Sequence, residues 1–394
     1  MKTLVEIGPI SSDRASMEDL EETLKGLSIA QRSCPEEPTY LLHVAQQLSG
    51  LLAVSCSDFN IRLHNKETLS LVGKYRGHRG PLCGLMFARN SSDLLYSCSA
   101  DGTVRAWDVR CPGKDSIQVF KSDPSYCYCS FDLNCSDTLL CAGTEQMNDE
   151  DSFLVFWDSR KPGGGILGVY SESHSDDITQ TCFHPTDKDR LASGSTDGLV
   201  NVFDLSRGGE DEALLVTCNS HSSAGLVCWS GAGYNELLCL SHDEGLHLWD
   251  LSQLDTDEPL TIFSTPDARG LTLQADGVGV DYLVGARWLE EAQKLLVVGG
   301  TNSGDLHLME CDSGGLHLLR RLTGGHSAMV RCFLWDAAGD ALITGGEDAQ
   351  LLLWKPGGNR LVTGKKESMK SESTAKLKSR PHKKNGIQRE RKGM

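Results

Sequence analysis

No apolar run in the 394 residues reaches the roughly 18 to 20 needed for a helix to cross a bilayer, so no such membrane span is expected. The first 23 residues place Asp13, Glu18, Asp19, Glu21 and Glu22 where a secretory leader needs an apolar centre. Without a leader, the 15 cysteines are expected to stay reduced rather than form a disulfide framework. A phosphate-loop lysine motif and a His-Glu-x-x-His pair are both missing, which removes two common routes to nucleotide and zinc chemistry. Cys127, Cys129, Cys135 and Cys141 fall close together but never as paired Cys-x-x-Cys knuckles. Cys127 and Cys129 alternate with Tyr126, Tyr128 and Ser130 as strand residues do, which predicts buried thiols and no metal. Gly163, Gly165 and Gly168 satisfy G-x-G-x-x-G, yet the stretch precedes a strand where a dinucleotide site needs a helix, so it reads as a turn. Asp149, Glu150 and Asp151 lack the glycine and ligand spacing of a calcium loop. The expectation is no catalytic residue, no cofactor and no small-molecule substrate.

What the chain does contain is one short β-paragraph written seven times. Its copies close at His64, Trp107-Asp108, Trp157-Asp158, Phe203-Asp204, Trp249-Asp250, Met309-Glu310 and Trp354-Lys355, spaced 43, 50, 46, 46, 60 and 45 residues apart. A period of about 40 to 45 residues is that of four-stranded propeller blades, so the fold class expected is all-β, a seven-bladed β-propeller. In blade two, alternation of apolar and polar residues predicts strands over 81–89, 94–99 and 103–109, with an outer strand over 116–121. No outer strand follows Trp354; residues 24–32 have that pattern and precede the first inner strand at 40–45, so they are assigned to the last blade. An N-terminal strand would thus close the ring and remove its open edge. The expected layout is a flexible acidic N-terminus over 1–23, the propeller over 24–360 and a disordered basic tail over 361–394.

Two copies carry the same polar set in the same order: His78, Ser97, Asp101 and Trp107, then His326, Thr344, Asp348 and Trp354. A buried indole N–H, an imidazole and a turn carboxylate each need partners, and a chain from Trp through Ser or Thr to His to Asp satisfies all of them. Blade four keeps His174, Ser193 and Asp197 with Phe203 in the indole place. Blade five keeps His221, Asp243 and Trp249 with Cys239 in the hydroxyl place, so a shorter network is expected in both. Blades one, three and six lack the His–Asp pair and are expected to rely on packing. A Ser, His and Asp set can form a hydrolase triad, but a triad occurs once, whereas this set recurs at blade period and reads as structural.

Charge divides sharply along the chain. Residues 1–360 carry 27 Lys and Arg against 51 Asp and Glu, a net of −24, while 361–394 carry 11 against 3, a net of +8. So acidic a body repels nucleic-acid phosphates, which argues against nucleic-acid binding. Arg380, Lys383 and Lys384, followed by Arg389, Arg391 and Lys392, resemble a nuclear or nucleolar import signal. The other reading is a solubilising tail that folds back on the acidic ring.

Residues 172–177, 195–204, 242–245, 254–259, 345–356 and 365–369 carry a resemblance that extends over the whole chain: it resembles the WD-repeat family. That resemblance implies a propeller without an established activity of its own. Trp107-Asp108-Val109-Arg110 and Trp157-Asp158-Ser159-Arg160 are in turn similar to the box by which WD-repeat substrate receptors dock on the adaptor of cullin-4 ubiquitin ligases. Both arginines follow the third strand of adjacent blades, so both are expected on one face, and a guanidinium suits forked interface pairs. Asp101 stands six residues before its Trp, as the box requires; the second box is interrupted by the insertion at 144–152. Alternatively, each arginine only caps a strand end and pairs with a nearby acid. The functional expectation is a monomeric, non-enzymatic protein-interaction scaffold of the nucleus or cytoplasm, its top face shaped by the 265–280 connection; the alternative is a cullin-4 ligase substrate receptor.

Overall fold

The computed structural model describes residues 17–34, 39–47, 49–147, 152–161, 163–253, 259–273 and 277–357. The chain divides into two units, Met1–Arg360 and Leu361–Met394. The second lies outside the described residues, and with it the six import residues named above.

Seven antiparallel sheets of four strands follow one another around the first unit. In six of them the strands pair in sequence order, as in blade two, where Leu82–Phe87, Leu94–Ser99, Thr103–Asp108 and Gln118–Phe120 lie side by side. The seventh sheet is Val330–Asp336, Ala341–Gly346 and Leu351–Pro356, completed on its outer edge by Leu27–Ser33. Leu27 pairs with Pro356 and Ser33 with Leu351, so the two ends of the ring share one ladder. This is the all-β, seven-bladed propeller closed by an N-terminal strand. The middle strands are buried along most of their length, as Ala341–Gly346 is throughout, because each sheet packs both faces against its neighbours. Side chains from facing sheets mesh into a core such as that of blades two and three, where Tyr96, Phe120, Tyr128 and Trp157 meet.

The N-terminal segment differs from expectation in one respect. The sequence pattern places 17–23 in a flexible acidic stretch and 24–26 in the closing strand, whereas Met17–Gly26 is an α-helix and the strand starts at Leu27. The helix runs through good helix formers and carries a Glu21–Lys25 ion pair of 3.1 Å one turn apart. Glu21 also lies 3.5 Å from Lys294 Nζ in blade six, and Leu24 is fully buried beside Leu27, Trp335 and Trp354. Glu22 and Lys25 lie exposed on a helix whose Leu24 is buried against the closing blade. Residues 1–16 lie outside the described residues.

Because every blade runs up and down, its connections sort onto two faces. One face receives the links from an outer strand to the next inner strand and the turns between second and third strands; we call it the histidine face. The opposite face receives the links from third to outer strands and is called the arginine face.

Candidate docking faces and the side chains that hold them

In blade two, Trp107 Nε1 donates to Ser97 Oγ at 2.8 Å, Ser97 Oγ lies 2.8 Å from His78 Nε2, and His78 Nδ1 lies 3.0 Å from Asp101 Oδ2. Blade seven repeats the chain from Trp354 to Thr344 at 2.9 Å, Thr344 to His326 at 2.8 Å and His326 to Asp348 at 3.0 Å. The order assigns the tautomer: Nδ1–H donates to the carboxylate, and Nε2 accepts the hydroxyl proton. Blade four holds His174 to Ser193 at 2.7 Å and to Asp197 at 3.0 Å, with Phe203 buried where the indole stands elsewhere. Burial alone would raise the Asp101, Asp197 and Asp348 carboxyls, but their histidine partners and turn N–H groups hold all three below the ordinary value.

Blade five corrects the expectation. His221 sits at φ 58° with its side chain in solvent, and Asp243 is exposed, taking its hydrogen bond from Ser222 Oγ at 2.6 Å instead. Cys239, in the hydroxyl place, directs its thiol to its neighbour's carbonyl, Leu240 O, at 3.7 Å. Without a hydroxyl to grip it, the imidazole leaves, and His247 stacks on Trp249 with ring centres 5.7 Å apart. In blade three Ala142 stands in the hydroxyl place; Trp157 Nε1 has no partner among the described residues, and the ring is held edge-on against Tyr128.

On the arginine face, Arg110 and Arg160 adopt the same conformation on adjacent blades. Arg110 places Nε 2.9 Å and Nη2 2.8 Å from the two oxygens of Asp108 and also reaches Asp93 at 3.0 Å. Arg160 forks onto Asp158 at 2.8 and 2.9 Å. Their side chains remain 67% and 65% exposed, so the forks orient them without burying them. Outward from them, Ile117 and Val119 of blade two and Leu167 and Val169 of blade three are exposed apolar residues along two outer edges.

All fifteen cysteines are free thiols. Burial, with Glu145 second, pushes Cys127 up to about 12, and burial drives Cys129 and Cys141 up as well, which disfavours the thiolate a metal needs. Among the described residues no three His, Cys, Asp or Glu side chains cluster as a metal site. The glycine stretch ends in the outer strand Gly168–His174 of blade three. Residues 149–151 lie outside the described residues.

A ring of seven four-stranded blades, two of them pinned by the full Trp, Ser or Thr, His and Asp chain and a third by part of it, defines a repeat propeller. The chain belongs to the WD-repeat family. The WD domain, G-beta repeat model matches residues 69–108, 166–204 and 317–355. Each span runs from one blade's outer strand through the third strand of the next, and the three end on blades two, four and seven, the same blades that hold the histidine networks. The WD repeat-containing protein 89 homolog of Dictyostelium discoideum is 27% identical over 301 residues, covering 76% of this chain and 79% of its own. WD repeat-containing protein GTS1 of Arabidopsis thaliana is 30% identical over 318 residues, 76% of each chain. An uncharacterized WD repeat-containing protein of Schizosaccharomyces pombe is 24% identical over 330 residues, 80% of this chain and 95% of its own.

Proposed function

We propose that the protein is a non-enzymatic interaction platform that holds a segment of a partner protein on its histidine face. The carrying observation is the connection from blade five to blade six, which sets Leu271 and Leu273 at 50% and 63% exposure instead of packing them inward. Apolar side chains raised on a loop above a rigid ring are what a partner's apolar residues would cover. Replacing both leucines by Ala should abolish a partner captured by the wild type while leaving the melting temperature within about 2 °C, since exposed positions cost little stability. A partner retained equally by the double variant removes the reading. The basic tail supports a nuclear site of action through its charge: fused to a reporter too large to diffuse, residues 361–394 should concentrate it in the nucleus, and a reporter left in the cytoplasm rejects this.

The paired forks on the arginine face favour a second reading, docking on the adaptor of a cullin-4 ubiquitin ligase. Two guanidinia pre-oriented on adjacent blades beside exposed apolar edges match what a polar-rimmed interface uses. Arg110→Ala combined with Arg160→Ala should remove the adaptor from purified complexes without loss of folding, with Arg110 the larger contributor. Wild-type protein that brings down no adaptor ends this reading.

A further inference from the structure

Between blades five and six, on the channel side of the histidine face, lies a cavity of about 240 Å³ lined by Leu226, Leu240, His242, Glu244, Leu283 and Val284 among others. Two glycines keep it open. A Cβ on Gly225 would come within 2.8 Å of the His242 ring, and one on Gly285 within 3.3 Å of Leu226. Both inner strands carry here the register shift that the inner strands of blades one, two, three and seven also show, between Ala224 and Leu226 and between Leu283 and Gly285.

The wall residue that sets the chemistry is Glu244. It occupies the left-handed position of the turn between second and third strands, where blades two, four and six use Gly102, Gly198 and Gly304, and blades one and seven use Phe59 and Ala349. At φ 65° a glutamate there bears backbone strain that glycine would avoid. In return its carboxylate is aimed across the blade boundary. Oε2 accepts the Leu283 N–H, and no second hydrogen-bond donor among the described residues reaches the group. Arg269, the nearest basic side chain of the overlying connection, is forked onto Asp267 at 2.9 Å through both Nε and Nη2. Partial burial raises the Glu244 carboxyl above its ordinary value, although the Leu283 N–H, Arg269 and His242 pull it down.

We propose that this cavity is a socket for one cationic side chain, lysine or arginine, presented by a partner's peptide segment. The inference rests on the platform reading above and names the chemistry of what that face holds. The leucine and valine walls suit an aliphatic stem, and Glu244 stands where the charged head would arrive. The volume lies below the roughly 300 Å³ where small-molecule pockets begin, so it fits a single side chain. The same turn anchors the overlying connection, since Ala268 N donates to Glu244 O at 2.8 Å. The connection anchored in this way also carries the exposed Leu271 and Leu273. The net charge of −24 over residues 1–360 draws basic segments toward the ring before they dock.

The test uses full-length protein and pools of nine-residue peptides with random flanks and a central Lys, Arg, Gln or norleucine. Wild type should retain the Lys and Arg pools at least tenfold over the Gln and norleucine pools. Glu244→Gln should erase that preference, as should Gly225→Val, which fills the cavity. Glu291→Gln, an exposed acid on the opposite face, should leave it intact and so report on charge alone. No cationic preference in the wild type, or one that survives Glu244→Gln, overturns the socket. Should Gly225→Val fail to fold, the near-isosteric Glu244→Gln decides alone. If partner capture depends on Leu271 and Leu273 while Glu244→Gln changes nothing, the socket falls and the platform stands. If the cationic preference depends on Glu244 while capture ignores both leucines, the platform as placed falls instead.

Discussion

A single hydroxyl decides whether a blade's histidine stays inside. Ser97, Ser193 and Thr344 each lie within 2.8 Å of an imidazole, whereas Cys239 leaves His221 in solvent. The spacing from His221 to Asp243 equals that from His326 to Asp348, which is why the sequence pattern counted blade five among the networks. Spacing reports where the backbone can bring two residues; it carries no information on whether a third group holds them. Asp348→Ala should therefore cost about 1 to 3 kcal/mol, because His326 loses a buried acceptor. Asp243→Ala should cost under about 0.5 kcal/mol, as for an ordinary surface position. Chemical denaturation of both variants checks the contrast, and equal losses would reject it. The depressed carboxyls fix a pH window as well. A carboxylate whose folded value lies below its unfolded value of about 3.9 stabilises above that pH and loses its contribution as pH falls through the folded value. Stability should thus drop as the solution is acidified below about pH 4, and Asp348→Asn should show a smaller drop over the same window. A parallel decline in both would show that Asp348 does not report.

Strands and turns were more legible than the elements that break the repeat. In blade two the pattern places strands within a residue or two of those observed, since successive strand side chains point to opposite faces and the turns between strands are polar. The helix Met17–Gly26 was missed because its one fully buried described leucine, Leu24, belongs to the closing-strand pattern as readily as to a helix. Glu244 was missed for another reason. Its left-handed turn position looks ordinary along the sequence, and only beside the five other described turns does a carboxylate stand out where three blades have glycine. The helix's role is testable at its buried contact. Leu24→Ala should cost about 2 to 5 kcal/mol through the cavity left against Trp335 and Trp354. Leu20, only partly buried beside the same cluster, should lose clearly less on the same change. Equal losses measured by urea denaturation would mean that the helix does not seal the blade as described.

At the scale of the whole ring, stability depends on where the sheet is joined. Six blades are continuous in sequence, and only the seventh is assembled from both ends of the propeller. Its outer strand supplies the ladder from Leu27 to Ser33 against Leu351 to Pro356, and the Arg32 side chain crosses to Gln350 and to Gly325 O. Removing residues 1–33 exposes Leu351–Pro356 as a free edge and uncovers Leu352 and Trp354. A closed ring has no partial state that keeps the other interfaces unstrained once one seam opens, so the loss should spread beyond blade seven. Deleting 1–33 should lower the melting temperature by more than about 10 °C or drive the protein into aggregates through the unpaired edge. Deleting 361–394 removes none of the described strands, so it should leave the melting temperature within about 2 °C. Thermal scans of the two truncations side by side decide the matter: equal tolerance would place the stabilising seam elsewhere in the ring.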